Sequence, residues 1–189
     1  MLFTPPRIKA PQRWKHLRIG LFGGTFNPPH EGHIHVCQTA LRQRQFDFIW
    51  WMVTPQNPLK RDQKIPSFEE RMLWSEDKIS HPRILVTDIE KQLKTYKSID
   101  TILALKTCFP QTKFTFLAGI DNAFNLHQWE EWEQLIEEIP FLFIARPPAE
   151  HLVRNFPAKI KRSANISYIL ETKMIDQSST KIREQMAFC

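Results

Sequence analysis

Residues 17–33 read Leu-Arg-Ile-Gly-Leu-Phe-Gly-Gly-Thr-Phe-Asn-Pro-Pro-His-Glu-Gly-His. Leu17 to Phe22 is a short β-rich run that ends at Gly23-Gly24. Pro28 and Pro29 then stiffen the approach to a helix that begins near His30. A strand that passes through a glycine turn into a helix is the opening half of a βαβ unit.

The rest of the chain repeats that alternation. Phe46–Val53, Arg83–Thr87, Lys113–Leu117 and Phe141–Ala145 read as further strands, and Ser167–Ile169 starts a sixth. Between them, 31–44, 68–79, 98–108 and 129–138 are each long enough for a helix. This spacing predicts right-handed crossovers and an open, doubly wound, Rossmann-like α/β fold, mostly parallel, with helices on both faces. The strands are nearly continuous apolar runs, as expected when both faces are covered. In such folds ligands sit at the carboxyl ends of the strands, near the topological switch point, so the chemistry is expected in the loops after each strand.

Composition narrows the class. The 189 residues, 42% apolar and 24% charged, suit one ordinary globular domain. The longest apolar run, Phe48-Ile49-Trp50-Trp51-Met52-Val53, is far short of the ~20 residues of a membrane helix. No secretory pattern opens the chain. Cys37, Cys108 and Cys189 form no C-x-x-C pair, which fits a reducing cytoplasm rather than a disulfide framework or zinc ribbon. The net charge of +6 is terminal: residues 1–18 carry +5, residues 151–189 carry +4, and the stretch between carries −3. No nucleic-acid recognition module accompanies it. Residues 1–17, basic and containing Pro5, Pro6 and Pro11, are therefore expected to be an extended or poorly ordered tail, and 18–189 the domain proper.

The first loop carries the strongest chemistry. Gly23 and Gly24 let backbone N–H groups approach a ligand, Thr25 and Phe26 follow them, and Gly32 leaves room where a side chain would block a phosphate. His30 and His33, three apart, share one face of the first helical turn, and the helix N-terminus adds N–H donors and partial positive charge. Two plainer readings stand beside this one. A Gly-Gly pair is commonly only a turn, with its histidines on the surface. A metal site of His30, His33 and His35 lacks a nearby acidic or thiolate fourth ligand.

The whole string Gly23–His33 resembles the signature of the nucleotidylyltransferase superfamily, whose H-x-G-H motif is here His30-Glu31-Gly32-His33. Within it, the string is similar to the G-G-T-F-D-P-x-H-x-G-H of bacterial nicotinate-nucleotide adenylyltransferases, with Asn27 in place of Asp. The resemblance runs from about Arg18 to Arg183. Thr54-Pro55-Gln56-Asn57-Pro58-Leu59-Lys60 resembles the family's proline-rich loop, and Phe68–Met72 its Arg-Met helix, where Arg71 suits an ion pair as well as a ligand contact. Leu93–Ile102 aligns with L-G-T-x-Y-T-x-D-T-L, with Lys97 for Tyr and Ser98 for Thr; the resemblance implies that Ser98 contacts a pyridine carboxylate. Asp100 and Thr101 are expected to cap the following helix. Gly119 and Asp121 match a G-x-D loop that holds the adenosine. Trp129 stands where the family stacks an aromatic on the pyridine ring, Glu130 offers its backbone N–H, and Trp132 is expected to pack inward. Arg146 matches a strand-end V-x-R-P. Ser178, Ser179, Thr180 and Arg183 match I-S-S-T-x-I-R, with Gln177 for Ile.

The resemblance implies adenylyl transfer from ATP to nicotinate mononucleotide in NAD biosynthesis. His30 and His33 would bind the α- and β-phosphates, Arg183 and the 178–180 segment the β/γ end, and Lys60 would assist. Asn27, Ser98, Trp129, Glu130 and Arg146 fall to the acceptor. Mg²⁺ is expected to arrive with ATP, without dedicated protein ligands. The expected partners are these two small molecules, with neither nucleic acid nor membrane, and a homo-oligomer is compatible with the sequence. The rivals are another acceptor, nicotinamide mononucleotide or phosphopantetheine, on the same fold, and a nucleotide-binding module without turnover.

Overall fold

The structure, a computed structural model, describes residues 4–55, 65–145, 163–170 and 182–183. In chain order the strands are β1 (Arg18–Gly24), β2 (Phe48–Val53), β3 (Ile84–Thr87), β4 (Lys113–Gly119), β5 (Phe141–Ala145) and β6 (Ile166–Leu170). The helices are α1 (Glu31–Gln43), α2 (Phe68–Lys78), α3 (Ile89–Leu93), α4 (Ser98–Cys108), α5 (Ile120–Asn125) and α6 (Trp132–Glu138). All neighbouring strands pair in parallel, in the order β3-β2-β1-β4-β5-β6. The winding reverses between β1 and β4, so their carboxyl ends, Gly23-Gly24 and Ala118-Gly119, flank the switch point.

The expected doubly wound sheet is thus the observed one, and β2 shows why it holds. All six of its residues are buried. Because successive side chains point to opposite faces, Phe48, Trp50 and Met52 join one core and Ile49, Trp51 and Val53 the other. The first core is completed by α3, α4, α5 and α6 through Ile89, Ile99, Ile102, Leu105, Ala123 and Leu135. The second is completed by α1 through Val36, Cys37, Ala40 and Leu41, with Phe68 and Met72 of α2 against it. Among the described residues no helix is long and apolar enough to cross a membrane, and Cys37 and Cys108 are unpaired thiols.

Four local expectations need correction. Residues 4–17 are not an extended, poorly ordered tail: Pro11–Trp14 forms a 3₁₀ turn and Trp14, 1% exposed, enters the first core. Its indole meets Phe48 and Trp50 edge-on at 5.7 and 5.0 Å, and the Thr112 hydroxyl donates to its carbonyl at 2.8 Å. Farther out, Gln92 of α3 donates to the Pro6 carbonyl and accepts from the Ile8 N–H, both at 3.2 Å. One indole buried on an apolar sheet outweighs the local polarity that made the segment read as loose. Second, the last expected helix begins only at Trp132, after a 3₁₀ turn at Leu126–Gln128 and a left-handed Glu131. Third, Asp100 and Thr101 do not cap α4. Lys97 holds the cap position without a side-chain bond, and the buried Thr101 hydroxyl turns back to the Lys97 carbonyl at 3.1 Å. Fourth, α3 and α5, of five and six residues, were not expected.

Candidate active site

The loop after β1 is shaped by aromatic packing as much as by its glycines. Phe26 has φ +49°, the left-handed region that a side chain of its size rarely adopts. Its ring lies stacked on Trp51 of β2, centroids 4.1 Å apart, and that contact holds the strained residue. A Cβ on Gly24 would come within 3.0 Å of the same ring, so a side chain there would push the ring off its seat by a few tenths of an ångström. The Asn27–Pro28 peptide is cis, and the chain then enters α1.

His30 is the N-cap of α1, a position usually held by Ser, Thr, Asp or Asn. Its Nδ1 accepts the Gly32 N–H at 3.1 Å, while its own backbone N–H donates to Nδ1 of His33 at 3.2 Å. The two imidazoles stack with centroids 3.7 Å apart, and Phe26 meets His33 edge-on at 5.1 Å. Since both Nδ1 atoms accept, this hydrogen-bond network assigns the proton of each neutral ring to Nε2. Both rings line a cavity of about 620 Å³ at the carboxyl edge of the sheet. The spacing placed the pair on one face; that one imidazole caps the helix while the other is fixed by the cap's own N–H was not legible.

Arg71 holds this end together. Its side chain, 1% exposed, donates to the carbonyls of Thr25 (2.9 Å), Thr54 (2.8 Å), Pro55 (2.9 Å) and Pro66 (3.2 Å). One guanidinium therefore ties the loops after β1 and β2 to the start of α2. Of the two readings left open, an ion pair or a ligand contact, the structure shows neither: the hydrogen-bond partners are backbone carbonyls. Burial pulls its pKa below the ordinary arginine value.

The other end of the cavity is assembled from short elements. Ser98 is the first residue of α4. Trp129, half-buried, lines the cavity and meets Phe116 edge-on at 5.7 Å, whereas Trp132 packs against the core and does not line it. Lys97 bridges the two segments, with Nζ 2.6 Å from Glu130 and 3.6 Å from Glu131. Glu130 thus contributes a carboxylate to an ion pair where only its backbone was expected to matter. At Gly119 an added Cβ would meet nothing within 4 Å, so the open space beside it is available to a ligand. Asp121 of α5 lines the same wall, exposed. Arg183 also lines the cavity, and its Nη1 donates to the Asn27 carbonyl at 2.6 Å.

The cavity therefore gathers Gly23, Gly24, Thr25, Phe26, Asn27, His30, Gly32, His33, Ser98, Gly119, Asp121, Trp129, Glu130 and Arg183, drawn from positions up to 160 apart in sequence. Lys60, Arg146, Ser178, Ser179 and Thr180 lie outside the described residues. His35 is buried and does not line the cavity, and among the described residues no group of three or more His, Cys, Asp or Glu is placed to hold a metal ion. Sequence reasoning missed Glu90 of α3, a buried carboxyl on the cavity wall. Its position just past the carboxyl end of β3 was the available signal, since that is the edge where ligands bind.

Known proteins agree with this architecture. Residues 21–185 match the family described as cytidylyltransferase-like. A nicotinate-nucleotide adenylyltransferase of Ruegeria pomeroyi is 40% identical over 181 residues, covering 87% of this chain and 84% of its own length. One from Parvibaculum lavamentivorans is 43% identical over 142 residues, covering 75% and 71%. Among solved structures, the Plasmodium falciparum nicotinic acid mononucleotide adenylyltransferase complexed with NaAD superposes with a TM-score of 0.72 at 22% identity, over 89% of this chain and 83% of that one. That likeness shows the shared fold, and the sequence matches show the kinship. The chain belongs to the nicotinate-nucleotide adenylyltransferases, within the cytidylyltransferase-like family.

Proposed function

We propose that this enzyme joins the AMP part of ATP to nicotinate mononucleotide, forming nicotinate adenine dinucleotide, the precursor of NAD, and releasing pyrophosphate. The observation that carries this reading is the stacked His30–His33 pair at the N-terminus of α1, beside the switch point of a parallel sheet. A 5′-phosphate oxygen of the acceptor attacks the α-phosphorus. The bond from that phosphorus to the bridging oxygen breaks, and its electron pair leaves with pyrophosphate. No protein nucleophile is required, so the rate comes from alignment and from stabilising the negative charge that builds on the phosphates.

The two Nε2–H donors and the N-terminal amides of α1 suit the α- and β-phosphates. Arg183, held at the Asn27 carbonyl, supplies positive charge at the outer end, with Lys60 and Ser178–Thr180 assigned to the same end by family resemblance. Mg²⁺ enters as part of the ATP, bound by phosphate oxygens and water; the imidazole donors of this loop are not the oxygen ligands it prefers. Asp121 and the open space at Gly119 suit the adenosine, while Ser98, Trp129 and Arg146 fall to the acceptor.

Ser98 and the first amides of α4 are donors, so they favour a carboxylate over a neutral amide, charge-assisted bonds being about twice as strong. Pyrophosphate release from ATP with nicotinate mononucleotide, nicotinamide mononucleotide or phosphopantetheine in turn tests the proposal. The expected result is at least a ~10-fold higher kcat/KM for nicotinate mononucleotide than for nicotinamide mononucleotide. Release with neither pyridine nucleotide would overturn the assignment, and equal efficiency with both would overturn the preference of Ser98 and the α4 amides for a carboxylate.

A further inference from the structure

Among the described residues three acidic side chains line the cavity, and they differ in surroundings. Asp121 and Glu130 are exposed, whereas Glu90 is 7% exposed. Glu90 is the second residue of α3, just past β3, and its Oε2 has no hydrogen-bond partner. The hydroxyls of Thr54, at the end of β2, and Thr101 of α4 bear on its carboxyl and favour the ionised form, yet burial dominates and raises the pKa to about 7.

The other ionisable groups on the cavity wall are His30 and His33 of α1, Tyr96 and Lys97 ahead of α4, Asp121 of α5, Glu130 and Arg183. Lys97 is paired with Glu130 and Arg183 is engaged at Asn27. Among the described residues no charged group contributes to the Glu90 shift. Among the described residues the cavity thus contains a buried carboxyl without a counter-charge, whose ionised form is disfavoured in the free protein and would be favoured by a cationic ligand.

The acceptor of the proposed reaction brings such a cation. Its pyridinium nitrogen is quaternary and has no N–H to donate, so it is recognised by a π face or by negative charge. Trp129 offers the first, and Glu90 is the buried group able to offer the second. We propose that Glu90 is the counter-charge for the acceptor's pyridinium ring, making ring charge, and not ring shape alone, a determinant of recognition. The inference rests on the acceptor reading given above.

The cation stabilises the ionised carboxylate, so a proton leaves Glu90 for solvent when the acceptor binds. Affinity therefore rises as pH climbs through about 7 and levels off above it. The probes are nicotinate mononucleotide and its 1,4-dihydropyridine form, which keeps the substituents but has a neutral ring. Titration calorimetry at pH 7, in buffers of different ionisation enthalpy, counts the protons released. The wild type is expected to release about half a proton more than Glu90→Gln on binding nicotinate mononucleotide, and to lose that excess with the dihydro form. Glu90→Gln is expected to weaken binding of the cationic ligand about 10-fold and of the neutral one less than ~2-fold. Equal release from both proteins, equal release with both ligands, or net proton uptake assigned to Glu90 would each overturn the inference. If Glu90→Gln does not fold, the two-ligand comparison on the wild type decides. Wild-type turnover is measured alongside: no dinucleotide from nicotinate mononucleotide defeats the proposed function, whereas turnover without the proton signature defeats only the role of Glu90.

Discussion

The two ends of the cavity are built by opposite means. At the end proposed for the phosphates, backbone is held by packed side chains: Arg71 gathers four carbonyls, Phe26 lies on Trp51, and the imidazoles are locked to the first turn of α1. At the acceptor end, short helices are joined by an ion pair whose partners, Lys97 and Glu130, are 38% and 52% exposed, and a buried carboxyl has an unserved oxygen. The difference suits the work of each end. Charge develops on the phosphates during reaction, and only donors that do not reorganise stabilise it cheaply. The proposed acceptor has to enter and leave, and on that proposal its ring charge would answer the buried Glu90 carboxyl.

Breaking the phosphate end should have the largest effect. Arg71→Ala leaves one buried and three part-buried carbonyls without their donor, so a loss of about 3–4 kcal/mol in unfolding free energy is expected, read from urea midpoints. A loss below ~1 kcal/mol would mean that the loops hold themselves. Next comes His33→Ala. It should keep the fold by circular dichroism and lower kcat by about 100-fold or more, because the donor acts in the transition state. Near-normal turnover would remove the histidine pair from the mechanism.

Glu90 gives a smaller effect whose sign depends on pH. Its carboxyl titrates near 7 in the folded protein rather than near 4.5, so the native state holds that proton more tightly than the unfolded chain does. The associated stability is complete below about 4.5 and is lost as pH rises through 7. Glu90→Gln, which cannot ionise, should therefore be more stable than the wild type at pH 8 by about 1–3 kcal/mol and no more stable at pH 4. The smallest effect is expected at the exposed pair. Glu130→Gln should change stability by less than about 1 kcal/mol, with a modest rise in the acceptor's KM that strengthens as salt is lowered. An effect as large as that of Arg71→Ala would erase the contrast between the two ends.

The same contrast explains what could be read from sequence. Phe48–Val53 announces a doubly covered strand because every residue is apolar. The Gly23–His33 string announces where the cavity lies, because a glycine turn from strand to helix marks the carboxyl edge of the sheet. The partners of Arg71 stayed hidden because carbonyls carry no signature: any residue supplies one. Glu90 was missed because the charged string Asp88-Ile89-Glu90-Lys91 reads as solvated, and a five-residue helix has no period to say which side faces inward. Trp14 was missed for a related reason. A single indole among Arg13, Lys15 and His16 makes no pattern, and only the sheet it lands on shows where it belongs.

Trp14 also sets an order of events. Residues 4–17 make their contacts with Phe48 and Trp50, with α3 near Gln92, and with Gln111 and Thr112, whose hydrogen bonds to His16 and Trp14 span 95 and 98 positions. A segment that precedes every strand in sequence is thus among the last able to settle, because its seat is not finished until β4 has begun to emerge. Until then the indole must wait uncovered, and closing so long a loop is slow compared with forming α1 or α2. The five positive charges of residues 1–18 suit that interval: they keep a greasy side chain in solution while the sheet that will receive it is still being made.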